Sequence, residues 1–220
     1  LIMCACATTS VERQKEADLH LTLGLSYLNE NNYQMAYLQF QKAYAIEPKN
    51  KDVLNGLGII HLYFEDLEKA ERYFKEALEI DKNFSEAHNN LGLVYTKFLR
   101  WEEAIEHFKK ALANPMYKHP ENAYFNLGSA YYRLGKYEEA VIAYRNSLRR
   151  SPNFVLSLYG LALSYNRLGR YGDAAEALSQ AITMDSRYNG DKMKFIEDIR
   201  NLYLKSGGED LADYLDIVNY

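Results

Sequence analysis

"NNLGLVYTKFLRWEEAIEHFKKAL", Asn89 to Leu112, holds the pattern on which the fold turns. Its apolar residues recur at three- and four-residue intervals, the mark of amphipathic helix and not of strand. It also carries a glycine within the first helical stretch (Gly92), an alanine twelve residues on (Ala104) and a phenylalanine four further (Phe108). Outward from it, the glycine returns as Gly24, Gly58 and Gly128, with Ala162 in the fifth place, at spacings of 34, 34, 36 and 34 residues. The alanine returns as Ala36, Ala70, Ala140 and Ala174, and the large side chain as Phe40, Phe74, Tyr144 and Leu178, with the same single slip. Self-similarity at this period means a stacked array, in which each unit buries its apolar face on its neighbours.

Each unit holds two helices, parted near Asn31-Asn32, Asp66, Arg100, Gly135-Lys136 and Gly169-Arg170. A glycine inside a helix costs about 1 kcal/mol against alanine, so four at one repeat position need a packing reason, and close approach of the paired helices is expected there. Pro48 and Pro152 stop helices at unit boundaries, because proline disfavours helix for its predecessor.

The three columns together resemble the tetratricopeptide repeat: Leu-Gly-x-x-Tyr, the central alanine, the phenylalanine and the closing Ala-Leu of the quoted stretch fall where that family places them. Five units read in register, about 17–50, 51–84, 85–118, 121–154 and 155–188. The resemblance implies an all-α fold, a superhelical solenoid of antiparallel helix pairs. Residues 1–16 then form an N-terminal segment and linker, and 189–220 a degenerate sixth unit: a longer helix, the Gly207-Gly208 break and a last helix.

Composition narrows the function. Net charge is −4 with both signs mixed throughout, which argues against phosphate-neutralising nucleic-acid binding. No run approaches the ~20 apolar residues of a membrane span. The five histidines (His20, His61, His88, His107, His119) are scattered, with no His-Glu-x-x-His spacing and no Cys-x-x-Cys pair, so no metal is implied. Glycines spaced along helices make no phosphate cradle, which needs them clustered at a helix start. Glu102-Glu103 and Glu138-Glu139 open second helices, where carboxylates suit the dipole. No catalytic residue and no cofactor is expected.

What remains is a binding surface. In the family that the repeats resemble, first helices line a concave face. Carried over, that implies Leu21, Leu25, Leu28, Ile59, Leu62 and Tyr63 in the first two units, then Asn89, Leu93, Lys97, Phe125, Tyr132, Arg133, Tyr159, Asn166 and Arg167. The groove is expected to pass from an apolar N-terminal end to a basic, aromatic C-terminal end, suited to a protein partner presenting an amphipathic helix or extended peptide. Two structural readings stand beside this one. Residues 7–16 could fold back over Leu21, Leu25 and Leu28 as a cap, and Lys97, Arg133 and Arg167 end helices where cations suit the dipole anyway.

The N-terminal "LIMCACATTS" resembles the end of a bacterial lipoprotein signal, with Met3-Cys4-Ala5-Cys6 as the box and Cys6 as the lipidated residue. The competing reading is an accidental apolar end with two free thiols. Taken with the slip at "NPMYKHPE" (Asn114–Glu121), where two added residues between Pro115 and Pro120 let unit four turn relative to unit three, the chain is similar to the pilotin lipoproteins of type IV pilus assembly (PilF/PilW). That resemblance implies a non-enzymatic factor anchored by lipid at the periplasmic face of the outer membrane and binding secretin subunits. An envelope adaptor for peptidoglycan hydrolases or proteases, and a soluble cytoplasmic module, possibly part of a larger enzyme, stay open.

Overall fold

The computed structural model describes residues 2–206 and 208–220, with side chains described from Ser10 onward. These residues form twelve helices and, among them, no strand. They fall into two compact units, residues 1–115 and 116–220, parted inside the link where the repeat slips.

The first unit holds α1 (Ile2–Asn29), α2 (Tyr33–Ile46), α3 (Lys51–Tyr63), α4 (Leu67–Ile80), α5 (Ser85–Lys97) and α6 (Trp101–Leu112). They pair as α1/α2, α3/α4 and α5/α6, each pair packing on the next. The second unit pairs α7 (Pro120–Arg133) with α8 (Tyr137–Arg150) and α9 (Val155–Arg167) with α10 (Tyr171–Met184), followed by α11 (Lys192–Ser206) and α12 (Glu209–Ile217). Pro120 sits in the first turn of α7, where its missing N–H is not needed.

The segment read as a linker, 1–16, continues into the first repeat: α1 runs unbroken from Ile2 to Asn29. Residues 10–16 contain no proline or glycine, only residues a helix accepts readily, so nothing stops propagation. They extend along the helix and do not fold back over Leu21, Leu25 and Leu28.

The glycine column has the packing role expected of it, but the approaching group is a ring. A Cβ at Gly24, Gly58, Gly92 or Gly128 would lie 2.6, 2.5, 2.5 or 2.8 Å from Phe40, Phe74, Phe108 or Tyr144, the large residue of the partner helix. In the fifth repeat Ala162 faces Leu178, both buried, so the alanine stands where the aromatic ring is absent. Gly56 and Gly160 cover the other side of Phe40 and Tyr144, at 2.6 and 2.4 Å; the repeat reading had not singled them out, because they recur in only two units.

Within every repeat the two helices are joined by a residue in the left-handed region: Asn31 (φ 57°), Glu65 (59°), Leu99 (59°), Gly135 (71°) and Gly169 (71°). The next N–H reaches back to close the helix, as from Arg100 to the Tyr95 carbonyl at 2.9 Å and from Arg170 to Tyr165 at 2.9 Å. This is the helix-ending turn that glycine accepts without penalty. Leucine does not, and Leu99 is 69% exposed, so it recovers little by burial. Leu99→Gly is therefore expected to stabilise the protein by about 0.5–1 kcal/mol, the left-handed penalty less glycine's unfolded-state entropy. Urea midpoints should show the gain, and Leu99→Ala, which keeps a Cβ, should not.

Candidate functional site: the inner faces of the two units

In the first unit the inner face is built by α1, α3 and α5, which contact one another in turn. Leu21 and Leu28 are half-buried, packed on the cluster around Phe40, Leu54, Leu57 and Ile60. Ile59 and Leu62 are half-buried, while Leu25 (43%) and Tyr63 (54%) are exposed. Tyr63 lies face to face with Tyr33, ring centres 3.4 Å apart, and edge-on to Phe64. Asn89 is buried, which removes it from an open surface, and Lys97 is exposed. Beside it, the Asn90 amide donates to Asn55 at 3.0 Å and ties α5 to α3. The free apolar surface thus narrows to Leu25 and Tyr63 with the edges of Ile59 and Leu62.

The same unit holds two histidines in contact. His88 and His107 approach to 3.1 Å between their Nδ1 atoms, and His88 Nε2 lies 3.0 Å from the Lys82 carbonyl. A carbonyl only accepts, so Nε2 of His88 carries its hydrogen, its Nδ1 accepts, and His107 Nδ1–H donates. Burial lowers both pKa values, that of His107 to about 4. The pair is structural: it joins the two helices of the third repeat, as His20 and Gln39 do at 2.7 Å in the first.

In the second unit the inner residues meet the chain's own end. Tyr132 donates to Asp210 at 3.0 Å and Arg133 reaches the other oxygen of the same carboxylate at 2.9 Å. Arg167 pairs with Glu209 at 3.1 Å and Asp213 at 2.8 Å. Burial pushes the Asp213 carboxyl above the usual range against the pull of Arg167, and burial with the nearby Asp210 raises the Tyr132 phenol. Tyr159 is buried, donates to Asp185 at 3.0 Å and stacks on Phe195. Asp185 in turn holds Arg187, whose guanidinium brings its carboxyl down to about 2. Phe125 packs against Tyr144 and Phe154, and Asn166 is half-buried beside Arg167.

The basic, aromatic face is thus held by α12, whose Asp210 answers Arg133 and whose Glu209 and Asp213 both answer Arg167. Sequence reading missed this because the tail reads as a worn repeat. The signal was available in its charges: acidic residues at 209, 210 and 213 against arginines that close two first helices. Under α11 and α12 a cavity of about 290 Å³ remains, lined by Phe125, Leu156, Leu163, Phe195, Ile199 and Leu202 among others. Among the described residues no cluster of His, Cys, Asp and Glu could hold a metal, and no helix is long and apolar enough to cross a membrane. Cys6 lies outside the described side chains.

Helix pairs in register, with first helices lining an inner face, define a helical-repeat scaffold of the kind that binds proteins or peptides. Three tetratricopeptide-repeat profiles match residues 27–91, 84–153 and 125–189, together most of the chain. The chain belongs to the tetratricopeptide-repeat family. Among solved structures it is similar to PilF of Pseudomonas aeruginosa, with a TM-score of 0.74 and 21% identity over 92% of this chain and 98% of that one. PilW, described as a widely conserved type IV pilus biogenesis factor, gives 0.70 and 24% over 90% and 98%. YrrB, described as a repeat protein with an unusual peptide-binding site, gives 0.63 and 20% over 84% and 93%. No curated protein sequence matches the chain.

Proposed function

We propose that this protein is a pilotin: a non-enzymatic lipoprotein, anchored through Cys6 at the periplasmic face of the outer membrane, that binds secretin subunits for type IV pilus assembly. The observation that carries the reading is the extent of the likeness to PilF and PilW, each matched over 98% of its length, together with the Met3-Cys4-Ala5-Cys6 box ahead of the first repeat. The contact surface on this reading is the exposed apolar part of the first unit, Leu25 and Tyr63 with Ile59 and Leu62 beside them. Large apolar groups left open on a stable helix face mark a partner site.

The test is co-purification of the pilus secretin with the full-length protein. Leu25→Glu and Ile59→Glu are expected to abolish recovery of the secretin while far-ultraviolet circular dichroism keeps its helical signal. Recovery at the unaltered level from both variants would refute the surface, and failure of the unaltered protein to retain secretin would refute the partner. Incorporation of labelled fatty acid that persists after Cys6→Ser would refute the anchor.

A further inference from the structure

Residues 116–220 carry a helix on their own inner face, and its chemistry describes a ligand. Helix α12 is nine residues long. Its acidic first turn faces the C-terminal ends of α7 and α9, where Arg133 and Arg167 stand. Those helix ends carry the negative pole of the backbone dipole and the start of α12 the positive pole, so the arrangement is favourable in both backbone and side-chain charge. On its other side Tyr214 lies edge-on to Tyr159 and Phe195, at 5.8 and 5.9 Å, and Ile217 is buried.

The seat is larger than its occupant. The cavity of about 290 Å³ stays open beneath the α11–α12 pair, and at its wall Leu156 and Leu202 are 52% and 49% exposed. Only the Arg167–Asp213 pair is largely covered, at 28% and 14%; the other ion pairs are the kind that exchange readily, with Glu209 86% exposed at its side chain and Arg133 53%. Such pairs hold a short helix in register while contributing little to its hold. A longer helix with the same acidic opening could make the same pairs and also fill the apolar space.

We propose that the inner face of α7 and α9 is a docking site for a partner's acidic amphipathic helix, and that α12 occupies it as an intramolecular stand-in. The partner helix opens with two or three carboxylates, for Arg133 and Arg167, and follows them with aromatic or aliphatic side chains at three- and four-residue spacing, as Leu211, Tyr214 and Ile217 do here. Its apparent affinity is reduced by the fraction of time the stand-in is bound. The site is separate from the Leu25 and Tyr63 surface and stands whether or not the partner is a secretin.

The experiment uses the full chain and a labelled synthetic peptide with the sequence of residues 208–220, followed by fluorescence anisotropy. Asp210→Asn with Asp213→Asn in the chain weakens the stand-in and leaves the seat intact. The peptide is expected to bind this variant about tenfold more tightly than the unaltered chain, the effect of losing its partly exposed ion pairs. Adding Arg133→Glu and Arg167→Glu should remove binding, and a peptide carrying Asp210→Lys and Asp213→Lys should restore it. The charge exchange keeps the test decisive should the first variant fold poorly. Equal binding to the unaltered and weakened chains, or no rescue by charge exchange, would overturn the proposal. So would a dimer of the unaltered chain that the peptide dissociates, which would assign the seat to a second copy.

Discussion

Gly92→Ala is expected to destabilise the protein by about 2 kcal/mol, the overpacking penalty of one forced methyl less the helix propensity gained. The added carbon would stand 2.5 Å from Phe108 Cε1, 2.7 Å from Cδ1 and 3.0 Å from Cζ. Phe108 has no exposed surface and packs inside the α5/α6 pair, so its ring has nowhere to turn. The repeats themselves supply the compensating change. In the fifth unit the same two positions hold Ala162 and Leu178, both buried without conflict, because leucine presents branched methyls where phenylalanine presents a ring edge. Gly92→Ala with Phe108→Leu should therefore recover much of the loss, with a coupling of about 1–2 kcal/mol between the sites. Chemical denaturation of the two single variants and the double variant measures it, and additive losses would show that the glycine column exists for some other reason.

That experiment rests on a feature readable in the sequence, and the contrast with what was not readable is physical. Helix pairing and the glycine column were legible because each is a local pattern that recurs in register, the pairing in five units and the glycine in four. Repetition separates Gly92 from a glycine placed by chance. The same periodicity gave the places where paired helices part, but not that each joint turns through a left-handed residue, since only two of the five, Gly135 and Gly169, are glycine. The inner face was legible as a set of positions but not as a free surface. Asn89 counts as groove by position and is buried. Arg133 and Arg167 count as groove by position and are paired with residues 77, and 42 or more, places further along the chain. Nothing in a repeat register says where a tail returns. Its docking depends on charge complementarity between distant segments, and one sequence shows the charges without showing that they meet. The long first helix was missed for a simpler reason: repeats give no information about what precedes the first of them.

Acid should loosen the third repeat, through the histidine pair that links α5 to α6. Both rings are held neutral: protonating His88 at Nδ1 sets N–H against N–H across the 3.1 Å contact, and protonating His107 at Nε2 keeps that bond but places a charge in a largely buried site. Burial, His88 itself and then Lys110 hold the His107 pKa down to about 4, with Glu106 pulling the other way and Lys75 adding to the repulsion. His88 is lowered too, chiefly by burial. A base whose folded pKa lies below its unfolded one takes up a proton more readily when unfolded. Stability from it is thus complete above the unfolded value of 6.5 and is lost as pH falls toward 4. Between pH 7 and pH 5, His107 alone should account for about 2 kcal/mol. The first repeat again offers the control. Gln39 occupies the position of His107 and meets His20 Nδ1 at 2.7 Å through an oxygen that does not titrate in this range. His107→Gln should keep a hydrogen bond to His88 while removing one of the two titrations, so its urea midpoint should fall less between pH 7 and pH 5 than that of the unaltered protein. Parallel losses in the two proteins would move the acid sensitivity elsewhere, to His61, whose pKa burial also lowers despite Asp66 at 3.4 Å.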